Sequence, residues 1–387
     1  MNSRDDILEG SDYAPWRLEL LGFEEFTALE VGDEPSRLSK AQLEYLASFG
    51  VLAPTSHNTV PQRFVLKPES GALELWLDRK FVLTASDVVG RQACVSIGAV
   101  LGNIVAAARC YGLDPQVEVV PTRREQVRPL ELAPGERYVK LVELKFGTAA
   151  AGHEFDLEPL QAILHRKMVR SEFDESVKLS DEQLTRLQAV LKGHPDGLKM
   201  HLLTDSPTLF FLGKFQELAD ITVFNREDFA RELGDWLLPN HSQGPLGMRG
   251  REFGLSDSMA ERMHRGLKRE LELLPDELGG IAKAGNIGIR SASAVVVLTV
   301  YEDTVENQIR AGWAFEDLVL LLEREGFRVS MHAGITEVEA PNLALRSRLR
   351  TMSRPTVVFR IGKPLYPQEG DRPHAARPSV QSLMISG

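Results

Sequence analysis

ACVSIGAVLGNIVAAA, residues Ala93–Ala108, is apolar on nearly every face and carries Gly98, Gly102 and Asn103 inside it. A helix that is hydrophobic all round must be covered all round, so this stretch predicts a fully buried central helix, with Gly112 placed to end it. Further on, Gln308–Glu325 predicts a second long helix closed by Gly326. Its glycines keep the same phase: Gly312 follows Gly98, and Gly326 follows Gly112, by 214 positions. Earlier in each half, LSDEQLTRL (Leu179–Leu187) mirrors LSKAQLEYL (Leu38–Leu46) at an offset of 141. The offset grows between about residues 205 and 290, so the chain reads as an internal duplication with one large insertion. Residues 1–150 form the first unit and 151–387 the second. Two units that each expose a central helix would bury those helices against each other, as subunits do across a two-fold axis.

Strand patterns fill in both units. They fall at Arg63–Lys67, Leu73–Leu77, Val117–Val120 and Tyr138–Phe146, then at Lys199–Thr204, Ala292–Val300 and Thr356–Ile361. Ser39 and Ser180 are placed to cap helices. The predicted fold class is α+β: two pseudo-symmetric repeats, each with an antiparallel-rich sheet and a buried central helix, fused into a pseudo-dimer. Within the insertion, Asn225–Leu238 predicts an amphipathic helix capped by Asn225 and stopped by Pro239. A glycine-rich stretch and a charged helix through Met259–Leu274 follow. The insertion reads as a mobile cap over a site.

Composition narrows the function classes. Hydrophobic residues at 43% and charged residues at 26% are those of a soluble globular enzyme. With 45 Lys+Arg against 55 Asp+Glu, no basic excess points to a nucleic-acid partner. Cys94 and Cys110 read as buried small hydrophobes in a reducing compartment. The opening MNSRDDILEGSDYAPW lacks an apolar core of signal-peptide length, and no apolar run of membrane-spanning length is read, so a cytoplasmic protein without a membrane partner is expected. The nine histidines show no HxxxH or HExxH spacing, so no metal site is expected. Neither G-x-S-x-G nor G-x-G-x-x-G occurs.

The chemistry gathers at a basic corner. QAILHRKMVRSEF (Gln161–Phe173) is a predicted helix end with Arg166, Lys167 and Arg170 within five residues. Residues i and i+4 share a helical face, so Arg166 and Arg170 would converge on one anion, such as a phosphate, through charge-assisted bonds. The loop APTSHNTVPQRF (Ala53–Phe64) resembles the flavin-contacting loop of the nitroreductase family, with Ala53, Pro54, Ser56, Asn58, Pro61 and Phe64 matching. Val60 and Gln62 depart from it. HRKMVRSEF resembles that family's arginine-rich phosphate motif in Arg166, Lys167, Arg170 and Phe173, with Met168 where a hydroxyl residue is usual. RPTVVFRIGKP (Arg354–Pro364) is similar to its terminal strand, whose arginine corresponds to Arg360.

The resemblance implies FMN as cofactor, NAD(P)H as a co-substrate, and ping-pong hydride transfer through flavin N5 to a nitroaromatic, quinone or similar acceptor. It implies that Arg166, Lys167, Arg170 and Arg360 neutralise the phosphate. Pro54, Thr55, Ser56 and Asn58 would contact the ring edge or ribityl chain, and a backbone amide in Met331–Ile335, at Gly334, would approach N5. His57 and Trp313 read first as structural residues. The first unit offers Glu24 and Glu25 where the second has its basic corner, and the second has only GHPDG (Gly193–Gly197) where the first has its loop. Each unit keeps the half the other lacks, so one FMN per chain and a monomer acting as a pseudo-dimer are expected. The alternative is an FMN-sequestering protein whose site is closed by the lid; a third is a specialised flavin oxidase acting on a biosynthetic intermediate or peptide.

Overall fold

The computed structural model describes residues 18–29, 37–120, 135–148, 155–194, 196–366 and 375–386. The opening segment read above for targeting signals lies outside the described residues up to position 17. The first half runs α1 (Phe23–Thr27), α2 (Lys40–Val51), β1 (Gln62–Lys67), β2 (Ala72–Asp78), α3 (Arg91–Cys110), β3 (Leu113–Val119) and β4 (Tyr138–Thr148). The second begins with α4 (Glu158–His165), α5 (Asp181–Val190) and β5 (Leu198–Leu203). The insertion then supplies α6 (Ser206–Asn225), α7 (Glu227–Trp236), the short pair β6 (Leu237–Leu238) and β7 (Met248–Arg249), α8 (Asp257–Leu267) and α9 (Pro275–Arg290). The second half closes with β8 (Ala294–Val300), α10 (Val305–Arg324), β9 (Arg328–Met331), α11 (Gly334–Glu337), α12 (Glu339–Leu349) and β10 (Arg354–Gly362).

Two four-stranded sheets result, ordered β1-β2-β4-β3 and β5-β8-β10-β9, antiparallel at every pairing. Both follow one plan, in which strands lie first, second, fourth, third and a long helix follows the second strand. The insertion enters between the first and second strands of the second sheet. Ser39 and Ser180 each accept from the backbone amide three residues on, and Gln42 and Gln183 reach back to complete a capping box at both helix starts.

The long helices α3 and α10 cross at their glycines. A Cβ on Gly98 would lie 2.0 Å from the carbonyl oxygen of Ile309, and one on Gly312 would lie 2.0 Å from that of Val95. The contact is reciprocal, as at a two-fold interface, and only glycine lets the backbones come this close. By length and composition α3 could cross a membrane, contrary to the sequence reading, but 89% of its apolar window is buried inside this fold.

Three local expectations are corrected. Asn225 does not cap a helix but ends α6, because Asp205 caps that helix earlier, accepting from Thr208 N at 2.9 Å, and the apolar run carries it through. The Met259–Leu274 helix stops at Leu267, where Arg269 turns to φ 63°, and a separate helix starts at Pro275. The basic corner is not helical. Helix α4 ends at His165, Arg166 adopts φ −53° and ψ 131°, and Met168 pairs in parallel with Val329 beside β9. Strand-edge pairing draws the chain out straight, with Val169 N donating to Val329 O at 2.9 Å. Arg166 and Arg170 therefore share no helical face.

Candidate functional site

A cavity of about 800 Å³ opens between the two halves and the insertion. The first half contributes Pro54, Thr55, Ser56 and His57, with Gln92, Val95, Ser96 and Ala99 of α3. The second contributes Met168, Arg170, Phe315, the stretch from Ser330 to Gly334, Glu337 and Arg360. The insertion roofs it with apolar side chains that include Phe224, Phe229, Met248, Phe253, Met259 and Met263.

The loop before β1 is held in an unfavourable backbone shape. His57, Asn58 and Val60 have φ of 50°, 54° and 53°. For a β-branched valine this left-handed conformation is a genuine outlier, and such residues persist where their surroundings over-determine them. The surroundings are visible. Val60 N donates to Thr55 Oγ1 at 3.1 Å, and Ser56 N donates to Ser96 Oγ at 3.2 Å. Asn58 Nδ2 donates to the carbonyls of Pro245 at 2.9 Å and Gly247 at 3.1 Å, while Gly247 N donates back to Asn58 O at 3.1 Å. Pro54, Thr55 and Ser56 line the cavity, whereas Asn58 is buried beside it and ties the loop to the insertion.

Arg170 and Arg360 make the cationic pole. Arg360 is 1% exposed; its Nη2 donates to the carbonyls of Arg170 at 2.8 Å and Ser171 at 2.7 Å, and its guanidinium lies 4.3 Å from the Phe173 ring centroid. Gly288 makes room for it, since a Cβ there would sit 3.0 Å from Arg360 Cζ. Its Nε and Nη1 are buried and have no hydrogen-bond partner among the described residues, and neither does Ser171 Oγ. Burial pushes the Arg360 guanidinium down to about 9, with neighbouring Glu172 opposing the shift and Arg170 adding to it. Arg170 lies over Phe253 at 4.3 Å and 3.9 Å from Glu252, so it bridges to the insertion. Arg166 turns the other way. At 2% exposure it pairs with Glu316 of α10 at 3.3 Å and donates to Leu52 O at 2.5 Å, outside the cavity lining. Lys167 is half-buried and also outside it. Trp313 stands apart as well, its indole edge-on to His194 at 5.3 Å.

Gly334 lines the cavity, against a group the sequence reading missed. The Asp220 carboxyl of α6 fits between two glycines: a Cβ on Gly334 would lie 3.4 Å from its Oδ1, and one on Gly285 would lie 2.8 Å from its Oδ2. Gln216 Nε2 donates to Asp220 Oδ1 at 2.7 Å. Burial pushes Asp220 up to about 7, and burial with the nearby carboxylates of Asp87, Glu232 and Asp220 pushes Glu337 up to about 8. Burial holds His57 down at about 4, and burial beside Arg360 holds His332 well below its usual range, so both imidazoles are neutral at physiological pH. One acid in an apolar helix and two scattered glycines form no sequence motif, so nothing in the chain announced this pole.

The insertion is latched down. Glu232 of α7 accepts from Ala85 N at 2.8 Å, Ser86 N at 2.9 Å and Ser86 Oγ at 2.7 Å, all in the first half.

No protein-family model matches the chain. An 81-residue segment is 37% identical to NAD(P)H nitroreductase acg of Mycobacterium tuberculosis, provisionally so named, in strains H37Rv and CDC 1551 alike. That segment is 21% of this chain and covers 23% of the relative's length, less than a quarter of it. Among solved structures, the FMN-dependent nitroreductase NfnB of Mycobacterium smegmatis in complex with NADPH aligns at 12% identity, over 60% of this chain and 100% of that one, with a TM-score of 0.40. A nitroreductase with bound FMN from Bacteroides fragilis aligns at 12% identity over 54% and 88%, with a TM-score of 0.34. The NADPH:FMN oxidoreductase of Vibrio harveyi complexed with NAD+ aligns at 12% over 54% and 70%, with a TM-score of 0.33. Superpositions this loose carry no functional weight.

Proposed function

We propose that the chain is an FMN-dependent NAD(P)H oxidoreductase of the nitroreductase kind, a duplicated chain folded as a pseudo-dimer with one flavin site. The observation that carries this reading is the cavity wall, where the strained Thr55–Val60 loop of one half faces Arg170 and Arg360 of the other. A buried guanidinium on the cavity wall with two unsatisfied nitrogens fits a phosphate, the ligand that completes such donors. The name of the curated relative agrees with this for the segment it shares. The reciprocal glycine crossing supports duplication into units 1–150 and 151–387, with the insertion spanning about 205–290. Ala99 lines the cavity, and 214 positions later Trp313 fills the counterpart place with an indole against His194, in keeping with a single site.

FMN, when bound, supplies the hydride and electron chemistry that no protein side chain does. The chain's residues position and shield. Arg170 and Arg360 neutralise the phosphate, while Pro54, Thr55, Ser56 and the backbone at Gly334 border the remaining space. Arg166 acts one step back, fixing the start of the loop through Leu52 O while Glu316 balances its charge. Asn58 fixes the other end of the loop to the insertion. The phenylalanines and methionines of the roof exclude water, which strengthens every electrostatic contact beneath them.

A second reading, flavin sequestration under a closed lid, is favoured by one observation: the Glu232 latch and the Asn58 tie both hold the insertion onto the first half. Anaerobic addition of NADH, then NADPH, to the flavin-loaded protein separates the two. Rapid bleaching of the flavin band supports the reductase. A flavin that resists both nucleotides yet bleaches with dithionite supports sequestration, and a protein that takes up no FMN contradicts both.

A further inference from the structure

The cavity has a second pole, chemically opposite to the first. Four acids line the cavity, Asp220, Asp276, Glu277 and Glu337, as well as the two arginines. Glu277 is answered by Arg262, whose Nη2 lies 2.9 Å from its Oε2, and Asp276 is exposed at the mouth. Asp220 and Glu337 have no cationic partner among the described residues. The charged groups nearest Glu337 are again acids, Asp87, Glu232 and Asp220. Asp87 accepts from Ala93 N at 2.9 Å, and Glu232 is spent on the latch, so neither supplies a donor.

Two uncharged groups beside them carry buried atoms with no partner. Gln216 is 6% exposed and lines the cavity; its Nε2 is committed to Asp220, and its Oε1 is buried without a partner. That commitment fixes the orientation of the amide, so the open atom is an acceptor. His332, 6% exposed, likewise leaves Nε2 without a partner on the cavity wall. Asp220 receives one donor, from Gln216, and Glu337 meets no cation, while Gln216 Oε1 is a buried acceptor with no donor at all, which costs free energy unless a ligand brings one. Around this pole lie Phe224, Phe229, Met259 and Met263, an aromatic and thioether surface suited to an apolar body or to the face of a cation.

We propose that Gln216, Asp220 and Glu337 form a second subsite that holds the cationic, N–H-donating head of an organic ligand whose apolar body lies on the phenylalanines and methionines of the insertion. The proposal rests on the reading that the arginine pole takes the flavin phosphate, leaving this pole to the second ligand. Electrostatics work the same way. A cation between two like-charged carboxyls relieves their repulsion and stabilises their ionised forms, so binding is coupled to loss of protons. Both carboxyls are raised, to about 7 and about 8, so affinity for a cation increases as pH rises through that window and levels off above it. His57 and His332 stay neutral across that window, whereas Arg360, held down to about 9, begins to lose charge near its top, so the Asp220→Asn and Glu337→Gln comparisons at one pH assign the effect to the carboxyls.

The test is calorimetric, on the full chain loaded with FMN and on the same chain without it. The probes are 4-phenylbutylammonium and its neutral counterpart 4-phenylbutanol, titrated at pH 6 and pH 8.5. The amine, with a lysine-like pKa near 10, keeps its charge at both, and it is expected to bind about tenfold tighter at pH 8.5, where a carboxyl titrating between has ionised. Asp220→Asn and Glu337→Gln should each weaken it about tenfold at pH 8.5, with the alcohol unmoved by pH or substitution. An amine that binds no tighter than the alcohol, or that ignores pH and both substitutions, overturns the proposal. Should Asp220→Asn fail to fold, the wild-type pH comparison and Glu337→Gln decide alone. A chain that loads FMN but shows no preference for the amine loses this subsite and keeps the flavin reading. A chain that prefers the amine with this pH dependence yet loads no FMN keeps the subsite and loses the flavin reading.

Discussion

Gly98→Ala adds one methyl group at the point where the two halves touch. The new Cβ would lie 2.0 Å from Ile309 O and 2.8 Å from Gly312 Cα, both backbone atoms of α10 that no rotamer change can move. Ordinary contact begins near 3.4 Å, so the helices must part by more than an ångström at their crossing. A gap of about 0.5–1 Å already forfeits a quarter to a half of the dispersion energy of the atoms it separates, and overpacking of this kind costs about 1–3 kcal/mol or somewhat more. Alanine returns about 1 kcal/mol of helix propensity. The net expectation is a loss of about 2 kcal/mol, read as a lower urea midpoint in far-UV circular dichroism. Gly312→Ala meets the mirror contact at Val95 O and should cost about the same, while the double variant should cost clearly less than both together, because one separation relieves both clashes. Gly102→Ala is the graded control: its Cβ would meet only side-chain atoms, Glu316 Cβ at 3.0 Å and Trp313 Cδ1 at 3.3 Å, and the loss should be smaller. A Gly98→Ala protein as stable as wild type, or more so, would refute the close crossing.

Three further outcomes are expected. Arg360→Gln removes the buried guanidinium at the cationic pole and should weaken FMN binding about tenfold to a hundredfold, the scale of a charge-assisted hydrogen bond, as read by fluorescence titration; unchanged affinity would exclude Arg360 from the phosphate site. Glu232→Ala cuts the latch and should speed tryptic cleavage within 206–290 with little change in overall melting, whereas unchanged protection would show that the latch holds nothing down. Burial raises Glu316 from 4.5 to about 7 against the pull of Arg166, so the folded chain holds a proton there that the unfolded chain has released. Stability from this group is present below the unfolded pKa and falls as pH rises towards 7, so Glu316→Gln should gain on wild type by up to about 3 kcal/mol between pH 4.5 and 7.5. Parallel stability curves for the two proteins over that range would contradict it.

The parts of the fold legible in the sequence are those that packing makes redundant. The all-round apolarity of Ala93–Ala108 requires burial, and α3 is indeed covered on all sides. The glycine phase of 214 showed which points of the two long helices meet, because a Cβ at either glycine would collide with the facing backbone carbonyl. The two serine caps announced matching helix starts. Local geometry at the basic corner was not legible, because the pairing of Met168 with Val329 is a contact between residues far apart in sequence and overrides the helical run before it. That override sends Arg166 to Glu316 and Arg170 to the cavity, where spacing alone put them together. The acidic pole was hidden for a related reason: Asp220, Gly285 and Gly334 come from three elements and meet only once the insertion folds down. The strain at His57, Asn58 and Val60 was equally invisible, since valine is among the last residues a left-handed backbone would suggest.

The measurement that bears most directly on a single composite site is the stoichiometry of FMN binding to the purified chain by equilibrium dialysis, in wild type and in Arg360→Gln. One FMN per chain, weakened by the substitution, is the predicted result. Two FMN per chain, or tight binding indifferent to Arg360, would contradict a site assembled once from the loop of one half and the arginines of the other.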